Sequence, residues 1–310
     1  MAAAKVIKWF RYKVFFPALA RLTRSIGYRL VNLIGLFDSI VHPHRHLVRQ
    51  GMGRLLTDSA GDPATLNRQC RLHYKMLARD TLDCFLMPRF TAENCQRFIR
   101  IHNLELLKKA REPGRGVIMI ISHFGRFFML GPGLFFAGIN FAMLTTVVDE
   151  RHPTYDSIDR WYMSTKLRNT QFFSGGSWIT TADDPRKIYR TLRNGEILLI
   201  ALDGNETNSS ERFEQPFLGG TLSLPGSIIR IAKATGARLV YAVTKDSNCG
   251  YGVEISFHEL PCQPEDALAL SISRLEADLR DTPYQWWLWP GVFSIWRPNS
   301  SVPIGGGGDA

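Results

Sequence analysis

Cysteine is sparse and poorly placed for chemistry. Cys70, Cys84, Cys95, Cys249 and Cys262 contain no Cys-x-x-Cys pair and are odd in number. That argues against a disulfide framework and against a zinc site, and leaves free thiols in a reducing compartment as the reading. Acidic residues are also in deficit: 28 Asp and Glu stand against 38 Lys and Arg, for a formal charge of +10 and a pI near 9.6. Such a surplus is attracted to something anionic, for which nucleic acid, a negatively charged bilayer and an acidic carrier protein all qualify. No Cys2His2 spacing and no glycine-aromatic RNA-binding signature accompanies the charge, so no nucleic-acid partner is expected. A small-residue cleavage site after an adequate apolar stretch is missing too, so no cleavable signal is expected.

Apolar runs long enough to cross a bilayer are the last absence. Phe127 to Val148 carries no charged side chain, which by length could span. Gly131, Pro132, Gly133, Gly138 and Asn140 interrupt it, so it reads as a buried helix followed by a strand around Phe141 to Val147. The N-terminal segment Lys5 to Arg24 interleaves Lys5, Lys8, Arg11, Lys13 and Arg21 with Trp9, Phe10, Phe15, Phe16, Leu19 and Leu22. That is the composition of a helix lying at a bilayer interface. Its longest uncharged run, Val14 to Ala20, is too short to span, and Pro17 predicts a kink.

What is present is a folded chain, with 45% hydrophobic and 21% charged residues. Residues 45–110 read as helices, with Leu72, Met76, Leu82 and Phe85 near helical spacing. After Gly114 the pattern changes to the continuous apolar run Gly116 to Ser122, a buried parallel strand ending in His123. Further strands are expected at Ile197 to Leu202, Leu239 to Val243 and Val253 to Phe257. Helices are expected between Pro225 and Thr235 and from Pro264 to Arg280. The alternation predicts an α/β fold with a mixed, largely parallel sheet flanked by helices, preceded by a helical membrane-binding N-terminus. The expected boundaries are 1–44 for the basic hydrophobic segment, 45–303 for the α/β domain and 304–310 for a flexible tail.

A histidine at the carboxyl end of a buried strand stands where parallel sheets meet their ligands. Strand-end histidines are also common as hydrogen-bonded structural groups, and the surrounding text decides between the two. Gly114 to Ile118 with Ser122-His123-Phe124-Gly125 resembles the first block of the bacterial lipid A late acyltransferases, within the wider lysophospholipid acyltransferase superfamily. Asp203-Gly204-Asn205 resembles that family's strand-end Asp-Gln. Phe213 with Pro216-Phe217-Leu218-Gly219 resembles its Pro-Phe-Phe-Gly segment. Thr282 to Trp286 with Trp296-Arg297-Pro298 resembles its C-terminal ending.

The resemblance implies transfer of a fatty acyl group from an acyl carrier protein or coenzyme A thioester to a hydroxyl or amine of a polar lipid or glycan. The setting it implies is lipopolysaccharide or other glycolipid synthesis on the cytoplasmic face of the bacterial inner membrane, peripheral or monotopic. His123 would be the general base and the acyl donor a cosubstrate, with no cofactor and no metal. Arginines at Arg126, Arg151, Arg160 and Arg168, together with Asn205, would bind the acceptor, since guanidinium forks suit phosphate.

One element of the pattern is missing. The family carries Glu or Asp five positions after the histidine, and this chain has Phe128 there. Three readings follow: another carboxylate, Asp149, Glu150 or Asp203, approaches His123 in space; the histidine acts alone on a reactive thioester; or the chain is a catalytically inactive lipid-binding or assembly protein.

Overall fold

The structure is a computed structural model that describes residues 2–56, 62–111, 114–150, 155–204, 211–247 and 251–299. The expected tail at 304–310 lies outside the described residues. A helical N-terminal part comes first: α1 (Ala2–Phe10), α2 (Phe16–Leu19), α3 (Arg24–Val41), α4 (Arg45–Leu55) and α5 (Pro63–Leu86). Then follow α6 (Ala92–Gln96), β1 (Ile99–His102), α7 (Leu104–Ala110), β2 (Val117–Ile121), α8 (Leu130–Phe136), β3 (Phe141–Thr145), α9 (Ser157–Ser174) and β4 (Gly175–Thr180). The C-terminal half contains α10 (Arg186–Arg193), β5 (Ile197–Ala201), β6 (Arg212–Phe217), β7 (Gly220–Pro225), α11 (Ser227–Thr235), β8 (Arg238–Asp246), β9 (Val253–Glu259), α12 (Pro264–Asp281) and β10 (Trp296–Pro298).

Seven strands form one sheet in the order β1-β9-β8-β2-β5-β3-β4. Every neighbouring pair in it is parallel except β8 and β9. The strand β2 is central, and its residues Val117 to Ile121 are all buried, as a strand covered on both faces must be. Side chains alternate across a strand. Thus Val117, Met119 and Ile121 join a core with Tyr28, Leu82, Leu134 and Phe173, while Ile118 and Ile120 join a second core with Leu192, Ile228, Leu275 and Trp286. The sheet is therefore sandwiched between α3, α5, α8 and α9 on one face and α10, α11 and α12 on the other. A small antiparallel sheet, β10-β7-β6, completes the C-terminal half.

The mixed, largely parallel sheet agrees with the sequence expectation, and the strands expected around β2, β3, β5, β8 and β9 are present. The region 45–110 departs from it. Ile99–His102 is a strand, paired parallel with β9 at the sheet edge. Four residues with apolar Ile99 and Ile101 around Arg100 are too short a run to outweigh the helical spacing before them. At Pro17 the helix does not break. A π-helical turn, Arg11–Phe15, precedes it, which accommodates a ring that cannot donate an N–H to the residue four before it.

The N-terminal helices are packed against the rest of the chain. Tyr28 and Val31 of α3 are fully buried, and α3 runs so close to α5 that a Cβ on Gly35 would stand 2.5 Å from the Lys75 Cα. On its outer side, by contrast, this part carries most of the exposed large apolar side chains among the described residues, including Ile7 at 68%, Leu33 at 64% and Phe37 at 62% exposure. Lys5, Arg21 and Arg29 are exposed beside them. Lys8 pairs with Asp156 and Asp159, Arg11 pairs with Asp38, and Lys13 stacks over Trp161. Part of the basic charge thus turns inward. No described helix is long and apolar enough to cross a membrane.

The helix α5 also anchors the C-terminal turn. His73, fully buried, donates from Nδ1 to the carbonyl of Tyr284 at 2.9 Å, and burial pushes its pKa down to about 4. The unfolded chain takes up this proton near the ordinary value of 6.5, while the fold resists it until about 4. Stability contributed by neutral His73 is therefore present above pH 6.5 and lost as the pH falls towards 4. Chemical denaturation at several pH values should show a shallower acid loss in His73→Gln than in the parent chain.

Candidate active site

The pairing of β2 with β5 places the central residues. The two strands run parallel in the register Val117↔Ile197 to Ile121↔Ala201, and the amide of Leu202 donates to the carbonyl of Ile121 at 2.8 Å. Two residues past the last pair on each strand, that register sets His123 beside Asp203. The Nδ1 of His123 lies 2.8 Å from Oδ1 of Asp203, and the backbone N–H of His123 donates to both carboxylate oxygens at 3.0 and 3.1 Å. The indole Nε1 of Trp286 donates to Oδ2 at 2.8 Å. Asp203 is buried, whereas the imidazole is 30% exposed.

Three donor groups converge on this one carboxyl group, and an ionised carboxylate, being acceptor-only, serves them all. The ring proton then sits on Nδ1, donated to Asp203. Nε2 keeps its lone pair and has no protein partner among the described residues. This is the tautomer of a base that can accept a proton from a bound molecule.

The loop after His123 is held by the C-terminal block. Gly125 donates to the carbonyl of Gln285 at 2.8 Å, and Trp287 donates to the carbonyl of His123 at 2.9 Å. The Trp287 indole reaches the carbonyl of Gly125 at 2.8 Å. Gly125 has φ +59°, and a Cβ there would stand 2.0 Å from the carbonyl oxygen of Thr244, so only glycine fits.

Arg126 is a correction to the sequence reading. It does not face an acceptor: it is fully buried. Its guanidinium donates to Asp83 at 2.9 Å and to the carbonyls of Tyr251 and Gly252 at 2.6 and 2.7 Å, and its Nε lies 2.8 Å from Asp246. A guanidinium committed to two buried carboxylates has no fork left for a ligand. It ties the His123 loop to α5 and to the end of β8.

Phe128 is buried. Its ring packs into the core, with the ammonium of Lys166 3.9 Å from the ring centroid and 4.7 Å from that of Trp287. Lys166 is itself buried in a pair with Asp80. Phe127, rather than Phe128, touches the imidazole, edge-to-face at 5.1 Å between centroids. Phe127 and Phe128 line a narrow apolar pocket with Ile121, Met143 and Leu199.

Of the remaining candidates, Asp149 and Glu150 are not brought to the imidazole, whose ion-pair partner among the described residues is Asp203. The β2–β5 register reaches Asp203, while Asp149 and Glu150 follow β3, which β5 separates from β2. Arg160 is half-buried and donates to the carbonyl of Tyr155 at 2.8 Å, and Arg168 is exposed on α9. Arg151 and Asn205 lie outside the described residues. Lys166, Asp83 and Asp246 are not marked in the sequence, and Trp286 is marked there only as part of the C-terminal motif.

A family model described as bacterial lipid A biosynthesis acyltransferase matches residues 66–290. The chain belongs to that family. The match begins within α5 and runs past Trp286, so it takes in His123, Asp203 and the block that holds them. Membership makes the chain an acyltransferase-family protein and points to acyl transfer onto a lipid or glycan. Comparison with curated proteins gives no match.

The geometry around position 128 predicts the result of restoring the family's carboxylate. In Phe128→Glu the new group would meet the Lys166 ammonium, while Nδ1 of His123 is already occupied. A rate of acyl transfer no higher than the parent's, together with a shifted thermal midpoint, is the expected outcome of assaying the two side by side.

Proposed function

We propose that this protein transfers a fatty acyl group from an acyl carrier protein or coenzyme A thioester to a hydroxyl or amine of a polar lipid or glycan, with His123 as general base and Asp203 as its positioning residue. The observation that carries this reading is the 2.8 Å contact between Nδ1 of His123 and Asp203. It supplies a carboxylate where the motif position has none.

In the proposed reaction Nε2 of His123 removes the proton of the acceptor hydroxyl or amine as that group attacks the thioester carbonyl. Asp203 holds the ring and offsets the charge of the imidazolium. When the tetrahedral intermediate collapses, the C–S bond breaks and the imidazolium returns its proton to the departing thiolate. The products are the ester or amide and a free thiol. No metal or cofactor enters the scheme. The substrate contacts assigned to Arg160 and Arg168 fit a phosphate-bearing acceptor in charge alone.

The inactive lipid-binding alternative draws on Phe128 standing at the motif position, and kinetics separate the two readings. His123→Ala should abolish acyl transfer while leaving the thermal midpoint near that of the parent. Asp203→Asn should lower kcat by roughly 10³ to 10⁴, by analogy with the carboxylate of a serine-protease triad, with a smaller change in KM. Unchanged turnover in His123→Ala would remove His123 as the base, and a parent chain without acyl transfer would leave the binder.

We further propose that the protein lies on the cytoplasmic face of the bacterial inner membrane, peripheral or monotopic, through the exposed apolar face of α1 and α3. Apolar area of this kind favours an interface, and the exposed basic side chains favour an anionic one. Because Tyr28 and Val31 of α3 are core residues, the test is surface substitution rather than truncation. Ile7→Ser/Leu33→Ser/Phe37→Ser should shift the protein from sedimented membranes to the supernatant. High salt should release the parent only partly, since screening leaves apolar burial intact. A parent chain that stays wholly in the supernatant would contradict the placement.

A further inference from the structure

The ends of α3, α4 and α5 border an open cleft of about 360 Å³, within the usual size range for small-ligand sites. It is lined by Ser39 and Ile40 of α3, by Arg45, His46 and Arg49 of α4, and by Asn67 and Arg71 of α5, among others. Three guanidinium groups converge there. Elsewhere arginines are neutralised: Arg11 pairs with Asp38, Arg79 with Asp246 and Arg126 with Asp83. Among the described residues, Arg45, Arg49 and Arg71 have no carboxylate partner. Arg49 donates to Asn67, and Arg45 makes one long contact, 3.5 Å, to the carbonyl of His42.

Arg45 and Arg49 stand four residues apart on one helix, a spacing at which like charges repel. Arg71 adds a third positive charge from the facing helix. The fold thus assembles a local excess of guanidinium donors, and no carboxylate among the described residues pairs with them. Forked N–H donors arranged in this way fit a phosphate, which accepts several charge-assisted hydrogen bonds at once. Ile40 gives the cleft an apolar rim. It is 63% exposed and adjoins Phe37 and Val41, themselves exposed. A phosphate in the cleft would therefore sit at the edge of the apolar face described above.

We propose that this cleft binds a phosphate group, and that the source is the headgroup of a lipid whose chains rest on the apolar face of α3. The choice of lipid over a soluble phosphate ester rests on the membrane placement proposed above, and the test keeps the two apart. Binding of the full chain is measured to phosphatidylcholine vesicles with and without phosphatidic acid, and by calorimetry to soluble glycerol phosphate. The variant is Arg45→Gln/Arg71→Gln, on exposed side chains. The control is Arg186→Gln/Arg190→Gln, which removes the same charge from α10, a helix that packs against β5 and α11.

The expected result is a loss of about tenfold or more in affinity for phosphatidic acid vesicles in the cleft variant, with the control close to the parent. Glycerol phosphate should bind the parent more weakly and the cleft variant not at all. If the parent ignores vesicles yet binds glycerol phosphate through Arg45 and Arg71, the phosphate site stands with a soluble source and the membrane placement falls. If the cleft variant and the control lose vesicle affinity equally, or if neither phosphate probe depends on Arg45 and Arg71, the site is overturned. In that case vesicle binding by the parent would still leave the membrane placement in force.

Discussion

The in-register pairing of β2 with β5 is the constraint on which the candidate site depends. Both strands are short, apolar and buried, and their parallel ladder leaves each chain emerging from the same end of the sheet. A polar residue two positions beyond the last pair on each strand is thereby brought to hydrogen-bonding distance without any specialised loop. Asp203 gains its place from this geometry, and the amide of His123 together with the Trp286 indole satisfies it there. A buried carboxylate without such donors would be costly to keep ionised. With them it is fixed as the acceptor for Nδ1.

Around this pair further buried charges hold the loop. Arg126 joins Asp83 of α5 to Asp246 at the end of β8, and Tyr28 of α3 also bonds Asp83. Burial raises the Asp83 carboxyl above its ordinary range, while the Arg126 charge opposes that rise. Lys166 and Asp80 form a second buried pair beneath Phe128 and Trp287, with the Asp80 carboxyl pushed up by burial to about 6. These pairs explain how the motif position can carry Phe. The ring offers its face to Lys166, so the ammonium has an aromatic partner as well as Asp80.

Much of the sheet was legible in the sequence because buried parallel strands are written as continuous apolar runs. Val117 to Ile121 and Ile197 to Ala201 are of this kind. The short edge strand β1 and the hairpin β6–β7 were not legible, since Arg212-Phe213-Glu214-Gln215 reads as a polar surface segment. His123 was evident from its position at a strand end. Asp203 was one of three carboxylates considered, and its selection needed the register, which sequence does not state. Arg126 was misread because a charged residue beside a site suggests ligand binding. Its actual partners, Asp83 and Asp246, are 43 residues before it and on a strand well after it, a separation that no local pattern reveals.

Whether Asp203 fixes the tautomer of His123 is tested most directly by nitrogen-15 NMR of the imidazole. In the neutral form the ring proton is expected on Nδ1, deshielded by its bond to Asp203, with that signal lost in Asp203→Asn. A ring protonated on Nε2, with shifts unaffected by replacing Asp203, would contradict that.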